Sequence, residues 1–150
     1  MTQSASNIEL LTFWIADQEY ALDIMSVREI RGWTQATALP HAPHYMKGVI
    51  NLRGTVLPVM DLASRLQLPT REQTERNVII VVNLEDTMTG LLVDAVSDII
   101  TLAQEDLLPP PELTTKAAEA VVSALTLVDE RMIRVLDLST TVNAVEGAAA

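Results

Sequence analysis

The chain has 150 residues, 49% of them hydrophobic, no cysteine and a formal net charge of -10. That length allows one domain, or two very small ones sharing a core, and the composition excludes disulfides, thiolate metal sites and cysteine nucleophiles. The negative charge opposes approach to phosphate backbones and anionic lipid. The start lacks a basic n-region, and the longest apolar run, Val78 to Val82, is far below the roughly 20 residues that span a bilayer. A cytoplasmic protein with no nucleic acid partner and no membrane insertion is expected.

In chain order, the predicted elements are mostly strands. IELLTFWI (8–15) and YALDI (20–24) flank the polar turn ADQE and read as a hairpin. VREIRGW (27–33), GVINL (48–52) and TVLPVM (55–60) follow, and Pro58 places its strand at an edge or a bulge because it cannot donate to a ladder. DLASRLQL (61–68) is a short helix with Asp61 as candidate N-cap, stopped by Pro69. TREQTER (70–76) reads as a turn. NVIIVVNL (77–84), GLLVDAV (90–96) and DIITL (98–102) are strands, and PPPE (109–112) is an extended break. LTTKAAEAVVSALTLV is assigned to coil and then a strand from about Val121. MIRVLDL (132–138) is the last strand, DLSTTVNAV (137–145) a short helix, and residues 146–150 a frayed tail.

Two strings recur. PVMDLASRL and RVLDLSTTV both run strand, Asp-Leu, helix; LDIMSVREI and VDAVSDIIT share an apolar-Asp-apolar step followed by Val, an acid and Ile. Halves at about 8–68 and 77–145 hold some five short strands each, too few to bury a core alone. Two small β-barrels packed together, with a groove along their seam, meet that requirement. VINL, TVLPVM and NVIIVVNL lack polar alternation, which implies burial on both faces, inside paired barrels or against other proteins.

Catalytic signals are weak. His41 and His44 form PHAPH, an incomplete metal site that fits a solvated loop better. Asp61, Asp94, Asp98 and Asp137 lie beside strand ends, where capping and turn duty are their ordinary work. With 5 glycines and no nucleotide-loop or G-x-S-x-G motif, no enzyme and no cofactor are expected. The aromatic residues do not interleave with basic ones as a base-stacking platform requires.

FWIADQEYALDIMSVREI, LPHAPHYMKGVINLRGTVLPVMDL, GLLVDAVSDI and RVLDL closely resemble the CheW-type coupling proteins of bacterial chemotaxis, over about Leu10 to Leu138. The resemblance implies a mainly β fold of two five-stranded SH3-like barrels around an apolar seam. It implies an adaptor that links the cytoplasmic tips of chemoreceptors to the regulatory domain of a CheA-type histidine kinase, recruited to membrane-associated receptor arrays that bring in other CheW-like domains. AAEAVVSAL (117–125) departs from the aromatic and glycine common in the family there.

Carried over by motif, Val27, Glu29, Ile30, Gly48, Arg53, Gly90, Val96 and Ile99 are expected to border a receptor-binding groove, with Glu29 and Arg53 setting orientation at its rim. Arg53-Gly54 forms a tight hairpin turn in which Gly54 takes φ > 0 and holds the arginine pre-oriented. Val56 is the expected kinase contact. The alternatives are the same adaptor role in another receptor-kinase pathway, such as surface motility or second-messenger control, and a small-ligand-binding β-barrel.

Overall fold

The computed structural model describes residues 7–69, 76–109 and 121–142. Ten strands account for most of these: β1 (Asn7–Ile15), β2 (Gln18–Asp23), β3 (Val27–Gly32), β4 (Met46–Leu52), β5 (Thr55–Asp61), β6 (Val78–Leu84), β7 (Thr87–Val93), β8 (Ala95–Ala103), β9 (Val122–Val128) and β10 (Arg131–Leu136). A short helix α1 (Leu62–Arg65) follows β5, and its counterpart α2, over 138–142, follows β10. The turn at 70–75, most of the PPPE break, the segment up to Ala120 and the 146–150 tail lie outside the described residues.

The strands form two five-stranded sheets, β8-β1-β2-β10-β9 and β3-β6-β7-β5-β4. Each curls closed through a bridge just past its third strand. Leu108 exchanges hydrogen bonds with Leu125 of β9 (2.7 and 2.8 Å), and Thr37 does so with Val49 of β4 (2.8 and 2.9 Å). The result is barrel 1 (β1, β2, β8, β9, β10) and barrel 2 (β3 to β7).

The repeat is real, but the barrels do not coincide with the sequence halves 8–68 and 77–145. The first half gives β1 and β2 to barrel 1 and β3 to β5 to barrel 2; the second half gives β6 and β7 to barrel 2 and β8 to β10 to barrel 1. Replacing β1–β5 by β6–β10, and the reverse, converts one sheet order into the other. The chain changes barrel at Asp23–Ser26, where Asp23 accepts from the Met25 N–H at 3.0 Å, and again at Asp94, which accepts from the Ala16 N–H at 2.6 Å. That second crossing breaks GLLVDAV into β7 and β8. The exchange also creates the two parallel pairings, β2 with β10 and β5 with β7.

Registers agree residue by residue. Leu11↔Leu22 in barrel 1 matches Ile80↔Leu91 in barrel 2, and Ala21↔Val135 matches Gly90↔Val59. Both third strands carry a bulge at the same place, between Val27 and Glu29 and between Val96 and Asp98. β5 is an interior strand, so the edge position expected from Pro58 is incorrect. Pro58 sits opposite Val49 of β4, and pairing with β7 begins only at Val59, which leaves its missing donor without consequence for that ladder.

Alternation within each strand sends side chains to two different cores. On β6, Ile79 and Val81 fill barrel 2 while Ile80 and Val82 face the seam; on β1, Leu10 fills barrel 1 while Leu11, Phe13 and Ile15 face the seam. This is why the strands read as continuous apolar runs. Among the described residues the seam holds sixteen buried apolar residues against seven in barrel 2 and five in barrel 1. At roughly 1.5–3 kcal/mol for each large side chain fully buried, the seam contributes more than either interior. Arg65 of α1 ties the helices together across it, donating to the carbonyls of Thr141 (3.2 Å) and Thr140 (3.3 Å) and lying over the Tyr45 ring.

Candidate functional site

The β4–β5 hairpin turns at Arg53-Gly54 with φ of 51° and 87°, positive at both residues. This two-residue geometry matches the twist of the flanking strands. The Gly54 N–H donates to Asn51 Oδ1 at 2.8 Å and fixes the turn. Arg53 projects into solvent, and its Nη2 donates to Glu29 Oε1 at 2.6 Å. Arg31 Nη1 reaches the other carboxylate oxygen at 3.1 Å. Hydrogen bonds from Arg53 first and Arg31 second hold the Glu29 carboxyl below its ordinary range, and Glu29 in turn raises the Arg53 guanidinium. The turn arginine is therefore oriented from β3 as well as by its own hairpin.

The expected site residues separate into three groups. Val27 and Val96 pack half-buried against the seam core. Ile30 lies opposite Ile80, and Ile99 opposite Leu11, so both share the seam face of their sheets, yet they remain 47% and 54% exposed. These four are two copies of one arrangement, presented by β3 and β8 on either side of the seam. Glu29 lies opposite Val81, on the other face of β3, and joins Arg53 at the end of barrel 2. Val56 is on the same hairpin, opposite Asn51 and 68% exposed.

Gly48 and Gly90 do not border a groove, because both are buried inside barrel 2. A Cβ on Gly48 (φ 140°) would sit 2.1 Å from the Thr37 carbonyl oxygen, so this glycine permits the closing bridge. A Cβ on Gly90 would meet Ile79 Cγ2 at 2.9 Å. Their motif positions reflect construction of the wall that carries the hairpin.

The acidic residues mostly have local partners. Asp98 accepts from the Ile99 N–H and Asp137 from the Thr140 hydroxyl, both at 2.7 Å. Asp61 holds the N-cap position of α1, and burial is the main cause raising its carboxyl above the usual range, opposed by the nearby Ser64 and Ala63 amides and by Lys47. His41 is exposed in the left-handed region, and His44 packs edge-on to Tyr45. Among the described residues, no group of three or more His, Asp or Glu is placed to hold a metal.

Sequence reasoning missed two pairings. Glu29 and Arg53 stand 24 positions apart, and only barrel closure brings them together. Glu19, in what reads as a polar turn, is 3% exposed. Its Oε1 is 3.1 Å from Arg131 Nε, without hydrogen-bond alignment. No local pattern signals either.

The model of the CheW-like domain matches residues 9–146. The chain belongs to the CheW family. It is 49% identical to a probable chemotaxis protein CheW from Rhizobium etli, over 95% of this chain and 92% of that protein. It is 43% identical to the chemotaxis protein CheW of Rhizobium meliloti over the full length of both. The crystal structure of the scaffolding protein TtCheW from Thermoanaerobacter tengcongensis superposes with a TM-score of 0.81 at 33% identity, covering 87% of this chain and 88% of that one. The two five-stranded barrels are thus the SH3-like pair of this family, and the chain is a chemotaxis scaffold of the CheW type. Among the described residues no helix is long and apolar enough to cross a membrane.

Proposed function

We propose that this protein is a non-enzymatic adaptor coupling the cytoplasmic tips of chemoreceptors to a CheA-type histidine kinase, and that it works in membrane-associated receptor arrays. The observation that carries this reading is the Arg53 guanidinium, exposed at a rigid turn and aimed by Glu29. A pre-oriented guanidinium loses little side-chain freedom on binding and adds bidentate specificity. Ile30 and Ile99 beside the half-buried Val27 and Val96 supply apolar walls suited to an amphipathic helix. Val56, exposed on the Arg53 hairpin, supplies an apolar strand surface for the kinase's regulatory domain.

Arg53→Ala is expected to leave the fold intact and to weaken binding to a receptor cytoplasmic fragment by about 2 kcal/mol. Calorimetric titration reads this, and unchanged affinity would remove Arg53 from the site. Val56→Asp puts a charge into an apolar contact and is expected to impair kinase binding while receptor binding persists. Equal loss of both partners with a lowered Tm would instead assign Val56 a structural role. Kinase autophosphorylation with receptor-bearing membranes, with the wild type present, absent or replaced by Arg53→Ala, tests the coupling itself.

A second reading is the same adaptor role in a different receptor-kinase pathway. It is favoured by 29% identity to the protein FrzA of Myxococcus xanthus over 78% of this chain, a relative that carries a different name. Activation of a kinase outside the chemotaxis set, with none within it, distinguishes the two.

A further inference from the structure

Barrel 2 contains a cavity of about 340 Å³, opening where residues 33–36 leave β3 and pass over the start of β4. Its cause is legible in the doubled architecture. Ala36 and Leu107 each precede the residue that closes their barrel and each packs on its interior, so alanine stands in barrel 2 where barrel 1 carries leucine. The two glycines of barrel 2 that match Ala21 and Ala124, Gly90 and Gly48, do not open it, because a Cβ on either would meet atoms already in place; the difference that bears on the cavity is Ala36 against Leu107.

The floor is apolar: Val59, Ile79 and Leu92 are core residues exposed by 4% or less. The Trp33 side chain walls one side, Thr34 and Gln35 supply neutral polar groups at the mouth, and Lys47 is the one charged residue in the lining. A cavity of this size lies at the lower end of the roughly 300–1,000 Å³ typical of small-molecule sites, and an apolar body with a few placed polar groups is their usual chemistry.

We propose that this cavity binds a small amphipathic monocarboxylate, its apolar body on Val59, Ile79 and Leu92 beside the Trp33 ring and its carboxylate on Lys47. The sign follows from the lining, since a cationic ligand would meet Lys47 with like charge and the lining contains no Asp or Glu. The charge requirement is modest, since an ammonium on a flexible stem is a point charge that accommodates several head positions. Asp61 is an acidic neighbour of Lys47, but it is buried and not part of the lining. Arg53, Val56, Ile30 and Ile99 are not among its lining residues.

Titration of the full-length ¹⁵N-labelled protein with octanoate tests the proposal, read at the two tryptophan indole N–H signals. Saturable shifts at Trp33, with Trp14 of barrel 1 unmoved, are expected, and octylammonium of the same chain length should give none. Lys47→Met should weaken octanoate by roughly tenfold or more, the loss of one charge-assisted contact. Ala36→Leu, which copies barrel 1, should abolish binding. Absence of a saturable Trp33 shift at millimolar octanoate, equal binding of octylammonium, or undiminished binding in a folded Ala36→Leu would each overturn the site. If Ala36→Leu does not fold, Lys47→Met decides alone, and unchanged affinity there overturns it.

Discussion

Barrel 1 and barrel 2 are built on one strand plan, with matching registers, matching bulges and matching closing bridges, yet they are finished differently. In barrel 1 the closing strands meet over Ala124, Ala21 and Leu107, and the end of the barrel holds the buried Glu19 beside Arg131. In barrel 2 the same places carry Gly48, Gly90 and Ala36, and Met88 of β7 stands where Glu19 stands in β2. The last hairpins differ in the same way. Barrel 2 turns at Arg53-Gly54 with an exposed Val56; barrel 1 turns at Asp129-Glu130, also with positive φ at both residues, and exposes Leu127 and Met132. A duplicated architecture thus preserves backbone plan while its surfaces and interiors diverge, and only one of the two hairpins has an arginine within its two-residue turn. Function follows those differences, because the shared plan alone would give both ends the same partner.

The largest test of the comparison is at Gly48. Gly48→Ala forces a Cβ onto the Thr37 carbonyl oxygen, a backbone atom, in a left-handed conformation that alanine resists. A loss of about 3 kcal/mol or more is expected, seen as a Tm lower by roughly 10 °C. The reverse change in barrel 1, Ala124→Gly, removes one methyl group from the interior and should cost only about 1 kcal/mol. Equal losses would mean that the two closures are energetically alike and that the positive φ at Gly48 is incidental.

Gly90→Ala is the intermediate case. Its added methyl group meets the end of the Ile79 side chain rather than backbone, with Leu57 and Val59 in ordinary contact at 3.4 and 3.5 Å. Barrel 1 tolerates alanine at this position, as Ala21, fully buried. A cost of about 1 kcal/mol is expected, measured by urea unfolding with unchanged slope. A loss as large as that of Gly48→Ala would show that barrel 2 cannot relax around β7.

Much of this plan is legible in the sequence. The Arg53-Gly54 hairpin, the strand runs, both Asp-Leu helix starts and the duplication are local patterns of turn chemistry and apolar period. The exchange of strands is not, because β2 and β7 are apolar on both faces and say nothing about which strand lies beside them. LDIMSV looks like the interior of one half, although it is the passage from one barrel to the other. Buried Glu19 and the Glu29–Arg53 pair also escape, since each depends on a partner placed by the closed barrels. The motif positions of Gly48 and Gly90 are likewise readable, but their reason, a close backbone approach and a crowded interior, is three-dimensional.

The smallest effect is also the one that separates Glu29 from Asp61 most cleanly. Glu29 is held by Arg53 and Arg31 below the ordinary glutamate value of about 4.3. The unfolded chain therefore binds its proton more readily than the folded one, and the contribution of Glu29 to stability is present above that value and lost as pH falls through the lowered folded one. Asp61, raised mainly by burial, behaves in the opposite way. Its folded form takes the proton more readily, so its contribution is fully present below the ordinary aspartate value of about 3.9 and declines as pH rises through the raised folded one. A carboxyl-carbon NMR titration of the two side chains should show midpoints displaced in opposite directions. Arg53→Ala should move Glu29 only part of the way back, because Arg31 still reaches its second oxygen, and should leave Asp61 where it was. A full return of Glu29 to its ordinary value would make Arg53 its sole effective partner, and Arg31 a neighbour without electrostatic consequence.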